Sequence, residues 1–478
     1  MERPPLEMTR TDAAEAGPEG ELVATARHRD WRRAVSFVLI PVLALVLAGL
    51  VASRGRAPRP APLHASGSEG ADQSGSPDTM APTYKPPHTY SEAVKAMYQP
   101  RATAPAAPAP PTTPPAPKSR PHRVCPSSWP QAGFDAGQSH FNPVECTLTV
   151  DALDELHERW SVTLQRTSPL GEPPAIVNGR VYLADLAWVS ALDAASGRPI
   201  WKTAVASAAA FSPAVDGGRV FVAGEGNALY ALDAGSGRLL WQSAPIPSRV
   251  AYLRHRVIAG GGRVYMATAS ALSAFDEGSG QHLWDFAPNR FDAAGPPALV
   301  GGTVVIAGGS QGDDTPDLFA LDAGTGALLW SKTYTYVLGP PIAFGDKVVF
   351  LGGVGSNVVV ANARDGVIEK TIPNPDPYLG GLSLTGNTLL IFGNMRRALD
   401  LSTGRTLWMT WSSGGGASIA AGMAWMCGAG SLTAVELGSG NGHVVAQGCA
   451  GLPAVSGGSL YAGMGYGVGH ASLAAFSL

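Results

Sequence analysis

Charged residues are few in this chain and nearly cancel. Asp, Glu, Lys and Arg make up 15% of 478 residues and leave a formal net charge of −3. Such a balance gives no electrostatic reason to expect nucleic acid as a partner. The short basic clusters Arg254-His255-Arg256 and Arg396-Arg397 sit on no recognisable nucleic-acid module. Cysteine is rarer, four in all, without a Cys-x-x-Cys pair or a suitably spaced Cys–His cluster, so no metal site is expected. The chain also lacks a Gly-x-Ser-x-Gly elbow, a His-Glu-x-x-His pair and an evident nucleophile beside a base, and no catalytic residue is assigned. Helical 3.6-residue periodicity is missing from about 300 residues of the C-terminal part, which points away from helical folds there.

What the chain has in abundance is one eleven-residue frame, Ala-x-Asp-x-x-(Ser/Thr)-Gly-x-x-x-Trp. Full copies run 191–201, 231–241, 274–284, 320–330 and 398–408. Their tryptophans are 40, 43, 46 and then 78 residues apart, the last gap holding a degenerate copy with Asn362, Gly366 and Lys370. A period near 40 residues means one supersecondary unit, repeated and stacked. Within a period, β-rich runs of four to six residues alternate with Gly-, Asp- and Ser-rich turns, as in 212–215, 219–223, 229–233 and 239–242. A four-stranded meander cannot bury both faces alone, so it stacks on its copies, and closing the stack gives an all-β propeller.

The frame residues read as structural. Gly197, Gly237, Gly280, Gly326 and Gly404 supply the positive φ of a tight turn. Asp193, Asp233, Asp276, Asp322 and Asp400 are placed to bond turn amides. Trp201, Trp241, Trp284, Trp330 and Trp408 are large plates for the neighbouring unit. Units begin near Ile176, Val215, Ile258, Leu299, Ile342, Leu382, Ile419 and Val455, which makes eight. The eighth runs out of chain before a fourth strand, and the run 158–164 with Trp160 is available to supply it. The expectation is an eight-bladed propeller of four-stranded antiparallel blades, closed by an N-terminal strand. Lys370 and Val444 stand where tryptophan belongs, so blades five and seven should dock less tightly.

Upstream, residues 1–33 read as a disordered cytoplasmic tail. Residues 34–52 form an uncharged apolar run long enough to cross a bilayer as a helix. Arginines on both sides give a slight bias towards a cytoplasmic N-terminus. An uncleaved anchor is preferred to a signal peptide, because no Ala-x-Ala site follows. Residues 53–122, rich in Pro, Ala, Ser and Thr, read as an extended linker. The propeller is placed at 123–478, on the far side of the cell membrane from the tail, in a single-pass arrangement. All four cysteines lie beyond the apolar run. Cys125–Cys146 and Cys427–Cys449 are the local pairings among three connectivities, with the second pair at one edge of unit seven.

The frame resembles the tryptophan-docking motif of the pyrroloquinoline-quinone-like (PQQ-like) propellers, and the segment from Trp129 to Pro143 resembles their N-terminal lead-in. The resemblance covers roughly residues 129–478. It implies the propeller fold, and for function it implies either a quinone-dependent dehydrogenase or a non-enzymatic scaffold such as the outer-membrane assembly lipoprotein. The dehydrogenases pair adjacent cysteines against the cofactor and converge carboxylates and amides on calcium. This chain has no Cys-Cys pair. A membrane-tethered, non-catalytic binding or assembly scaffold is therefore expected, with another protein or a cell-envelope component as partner and no cofactor. A PQQ-dependent oxidoreductase and a cell-surface ligand sensor are the alternatives. Turns after strands one and three are uniform, whereas loops after strands two and four vary. That variable face is expected to bind, with Trp188, Arg254, His255, Arg290, Asp313, Asp314, Tyr336, Tyr378, Arg396 and Trp411 as candidates.

Overall fold

The computed structural model describes residues 125–166, 170–205, 212–246, 256–288, 291, 293, 295–309, 317–334, 339–353, 356–374, 379–411, 415–428, 430–465 and 470–478. The tail, apolar run and linker lie outside these residues, and no helix among those described is long and apolar enough to cross a membrane. Seven blades follow one another as antiparallel sheets over residues 175–204, 214–242, 256–286, 298–333, 342–372, 379–411 and 418–447. The eighth takes three strands from 449–477 and its outer strand from His157–Thr163, which runs antiparallel to Ser472–Ser477. The N-terminal closing strand expected from Trp160 is thus in place, with Trp160 opposite Ala475.

Six of the eight seams between blades repeat one joint. The indole of Trp201 lies so close over Gly237 of the next blade that a Cβ there would meet the ring at 2.5 Å. The same is true of Trp241 over Gly280, Trp284 over Gly326, Trp330 over Gly366, Trp408 over Gly440 and Trp160 over Gly197. The frame glycine is therefore required twice, by its positive φ (+73° at Gly237) and by the plate above it. Each indole N–H then donates to the carbonyl that follows the next blade's frame acid, from Trp408 to Leu437 at 2.7 Å and from Trp284 to Ala323 at 3.2 Å. The acids bond their own turns as expected, Asp233 Oδ1 accepting from the Ser236 amide at 2.8 Å and its hydroxyl at 2.7 Å. Lys370 keeps the hydrogen bond without the plate: its ammonium donates to Leu401 O at 2.9 Å, while Gly404 is left with only Ile372 at 3.8 Å from a hypothetical Cβ.

The lead-in does more than enter the fold. It travels once round the axis and exchanges hydrogen bonds with every blade. Trp129 exchanges two with Ile176 at 2.7 Å; Val215 N–H donates to Pro130 O at 2.8 Å; the Gln131 amide brackets both backbone groups of Ala259. Leu299 donates to Ala136, Ala343 to Gly137, Leu384 to Ser139 and Ile419 to His140, at 2.7–2.9 Å. Phe141–Asn142 then adds a parallel fifth strand to blade seven, and the Asn142 amide donates to Val455 O of blade eight at 2.8 Å. Inner strands otherwise present unpaired amides to the hub, and a buried amide without a partner costs about 1–3 kcal/mol. This lace removes that cost.

Both expected disulfides are present. Cys125–Cys146 joins the two ends of the lace, with Cα atoms 5.7 Å apart, so the circuit is covalently closed. Cys427–Cys449 differs from its expected place. Cys449 opens Cys449–Ser456, the first strand of blade eight, so the bridge clamps the seam between blades seven and eight instead of one edge of blade seven. The reason is the single-residue connection Gly448, which turns at φ +85° straight into the next blade.

Candidate functional site

The lace divides the hub. Ala132, Gln138 and His140 form the floor of a cavity of about 570 Å³ that opens at the end carrying the variable loops. Its wall comes from the segments that lead into successive inner strands, which are mostly small or stiff: Gly171, Pro173, Gly295, Pro296, Pro340, Gly381, Gly415 and Gly451. Two arginines stand in this wall and both face carboxylates. Arg256 Nε lies 2.9 Å from Glu172 Oε1, and Arg166 Nε lies 3.9 Å from Asp185 Oδ1. Burial lowers the pKa of Arg166, and the Asp185 charge opposes that shift.

The lace is under backbone strain. Phe134, Gln138 and His140 hold φ values of +73°, +63° and +56°, a left-handed conformation uncommon in residues other than glycine. Such strain persists only where surrounding structure dictates it, and here the lace bonds dictate it. The His140 ring has no hydrogen-bond partner at Nδ1 among the described residues. Burial pushes its pKa down to about 4, so the imidazole is neutral at physiological pH.

Of the candidate binding residues, Trp188, Arg396 and Trp411 are described, Trp188 on blade one and the other two on blade six. Arg254, His255, Arg290, Asp313, Asp314, Tyr336 and Tyr378 lie outside the described residues. Trp188 opens the third strand of blade one, half-buried beneath the Lys202 ammonium at 4.5 Å from the ring centre. Arg396 is a correction: it is only 8% exposed, and burial lowers its pKa. Strand alternation places it with Ala398 and opposite Phe392, on the face that blade six turns to blade seven. Trp411 is also misplaced by the expectation of a loop. It ends the outermost strand of blade six, Thr406–Trp411, on the circumference.

Sequence reasoning missed what surrounds Trp411. Leu407, Met409 and Trp411 alternate on one face of that edge strand and are 51%, 51% and 80% exposed. At the corresponding positions one and three residues past the docking tryptophan, blade one carries Lys202 and Ala204, blade four Ser331 and Thr333, and the closing strand Ser161 and Thr163. Blade six alone places large apolar side chains at both. An unpaired strand edge is usually protected by charge, and Thr406–Trp411 has none.

The family described as outer membrane protein assembly factor BamB matches residues 148–272 and 268–461. The chain belongs to that family of PQQ-like propellers. Among solved structures it is similar to BamB from Moraxella catarrhalis, at 17% identity and a TM-score of 0.51 over 68% of this chain and 100% of that one. A quinohemoprotein alcohol dehydrogenase from Comamonas testosteroni gives 14% identity and a TM-score of 0.58 over 73% and 80% of the two chains. A europium-containing methanol dehydrogenase gives 12% and 0.60 over 74% and 98%. At these identities the likeness shows the fold alone. No curated protein matches the chain.

Among the described residues, those lining the cavity do not fit the quinone and calcium that the dehydrogenase branch implies. The four cysteines are consumed by two separated bridges, with none adjacent in sequence. The carboxylate that lines the cavity, Glu172, faces Arg256 and also accepts from the Ser212 amide at 3.2 Å. Among the described residues no three His, Cys, Asp or Glu side chains converge to hold a cation.

Proposed function

We propose that this protein is a non-catalytic binding scaffold of the cell envelope that grips an extended segment of a protein partner along the edge of blade six. Residues 34–52 tether it to the cell membrane and residues 53–122 carry the propeller away from it, on the extracytoplasmic side. The observation that carries the reading is the apolar stripe Leu407–Met409–Trp411 on an uncharged edge strand. An added strand would pair with the open backbone of Thr406–Trp411, and alternate apolar side chains would cover Leu407, Met409 and Trp411. Tryptophan and methionine are enriched where interface energy concentrates. Membership in a family described as an assembly factor supports a protein partner.

The test is photocrosslinking in intact membranes with benzoylphenylalanine at position 411 and, as a control, at position 204 in blade one. The reading expects one discrete protein adduct from 411, mapped to an extended segment of the partner and abolished by Met409→Lys. Equal labelling from both positions, or an adduct indifferent to Met409→Lys, would refute it.

A further inference from the structure

The other side of the lace forms a second hollow, of about 580 Å³, at the end of the hub where the uniform turns lie. Phe134, Phe141, Phe344, Leu299 and Leu384 give it an apolar wall. Among the described residues, one ionisable side chain lines it, Asp135. The lead-in holds that carboxylate fast, with the Ser139 amide donating to Oδ1 at 3.0 Å and the Ser139 hydroxyl to Oδ2 at 2.6 Å. Among the described residues no Lys, Arg or His forms an ion pair with it, and burial raises its pKa above the usual value of 3.8. A carboxylate in apolar surroundings without a counter-charge is at its best when a cation arrives.

We propose that this hollow binds a primary amine with an aromatic or branched aliphatic body, its ammonium on Asp135 and its body against Phe134, Phe141 and Phe344. Phe134 lines the hollow next to Asp135, and its ring is held edge-on against Trp129 at 5.3 Å. The site lies on the hub and is independent of the blade-six edge.

The test uses the full chain and three probes of one shape: 2-phenylethylamine, 2-phenylethanol and phenylacetate. Binding is followed by saturation-transfer NMR and calorimetry at pH 7. The amine should bind at least tenfold more tightly than the alcohol, and phenylacetate should not bind measurably. Asp135→Asn keeps the Ser139 amide on Oδ1 and lets the Ser139 hydroxyl turn to accept from Nδ2, and it should erase the tenfold preference. Phe344→Ala leaves Asp135 untouched and should weaken amine and alcohol alike by about fivefold or more. Amine binding should also fall as acid neutralises Asp135. Equal affinities for amine and alcohol, a preference surviving Asp135→Asn, no saturable binding at all, or affinities indifferent to Phe344→Ala would each overturn the proposal. None of these outcomes bears on crosslinking at position 411.

Discussion

Cutting the lace where it is tied should loosen the whole ring at once. In the double variant Cys125→Ser, Cys146→Ser the bridge across 21 residues is lost, and the loop-closure relation assigns about 3 kcal/mol to a circuit of that size. A comparable figure applies to Cys427→Ser, Cys449→Ser, whose separation is 22. The two variants should therefore lose similar stability in urea. They should differ in where the loss appears. The amides of Val215, Leu299, Ala343, Leu384 and Ile419 all donate to the lead-in, so freeing its ends should speed their hydrogen exchange together. About 3 kcal/mol corresponds to roughly 100-fold. The control variant should expose amides only around blades seven and eight. If exchange in the first variant rises only beside residues 125 and 146, the lead-in is a passive strap and the reasoning fails.

Lys370→Trp should stabilise the seam between blades five and six by about 1 kcal/mol in chemical denaturation, because space over Gly404 is open; a neutral or negative result would mean the plate has no room. Trp330→Ala, at an intact seam, should cost about 2 kcal/mol, less than the ~3–5 of a fully buried aromatic. Gly280→Ala should cost at least about 2 kcal/mol, since its Cβ would lie 2.5 Å from Trp241 on a backbone with φ +73°; an unchanged melting temperature would contradict the joint. For His140 the folded pKa is depressed from 6.5 to about 4, so its contribution is complete above pH 6.5 and is lost as pH falls towards 4. Part of the ring faces the cavity, so the loss should be about 2 kcal/mol, and His140→Asn should flatten stability over that window.

Much of this architecture could be read from residue spacing. Eight blades, the closing strand around Trp160 and the cysteine pairings follow from the period and from local separation. The joint was half legible: the turn explained Gly237, but the plate of Trp201 above it comes from another blade and leaves no local mark. The lace was hidden for a related reason. It is made mainly of backbone carbonyls at Pro130, Ala136, Gly137, Ser139 and His140, whose identities encode no partner, while Gln131 and Asn142 are the side chains that hinted at it. Arg396 is legible in part, since alternation along Met395–Asp400 places it with Ala398, but that both faces of the strand are covered by neighbouring blades leaves no local mark. From the sequence Trp411 reads as a loop residue, whereas the outer strand of blade six continues three residues beyond its docking tryptophan. Its companions Leu407 and Met409 are ordinary strand residues until the edge is seen to be bare.

The non-catalytic reading rests on a hub crossed by its own lead-in, with cavity charges already opposed. Its most direct test is to supply the purified full-length protein with pyrroloquinoline quinone and calcium, pass it through gel filtration, and record the quinone absorbance and dye-linked oxidation of primary alcohols. The account predicts that the quinone elutes with the small molecules and that no alcohol is oxidised above the protein-free rate. Quinone eluting with the protein, together with turnover, would contradict it.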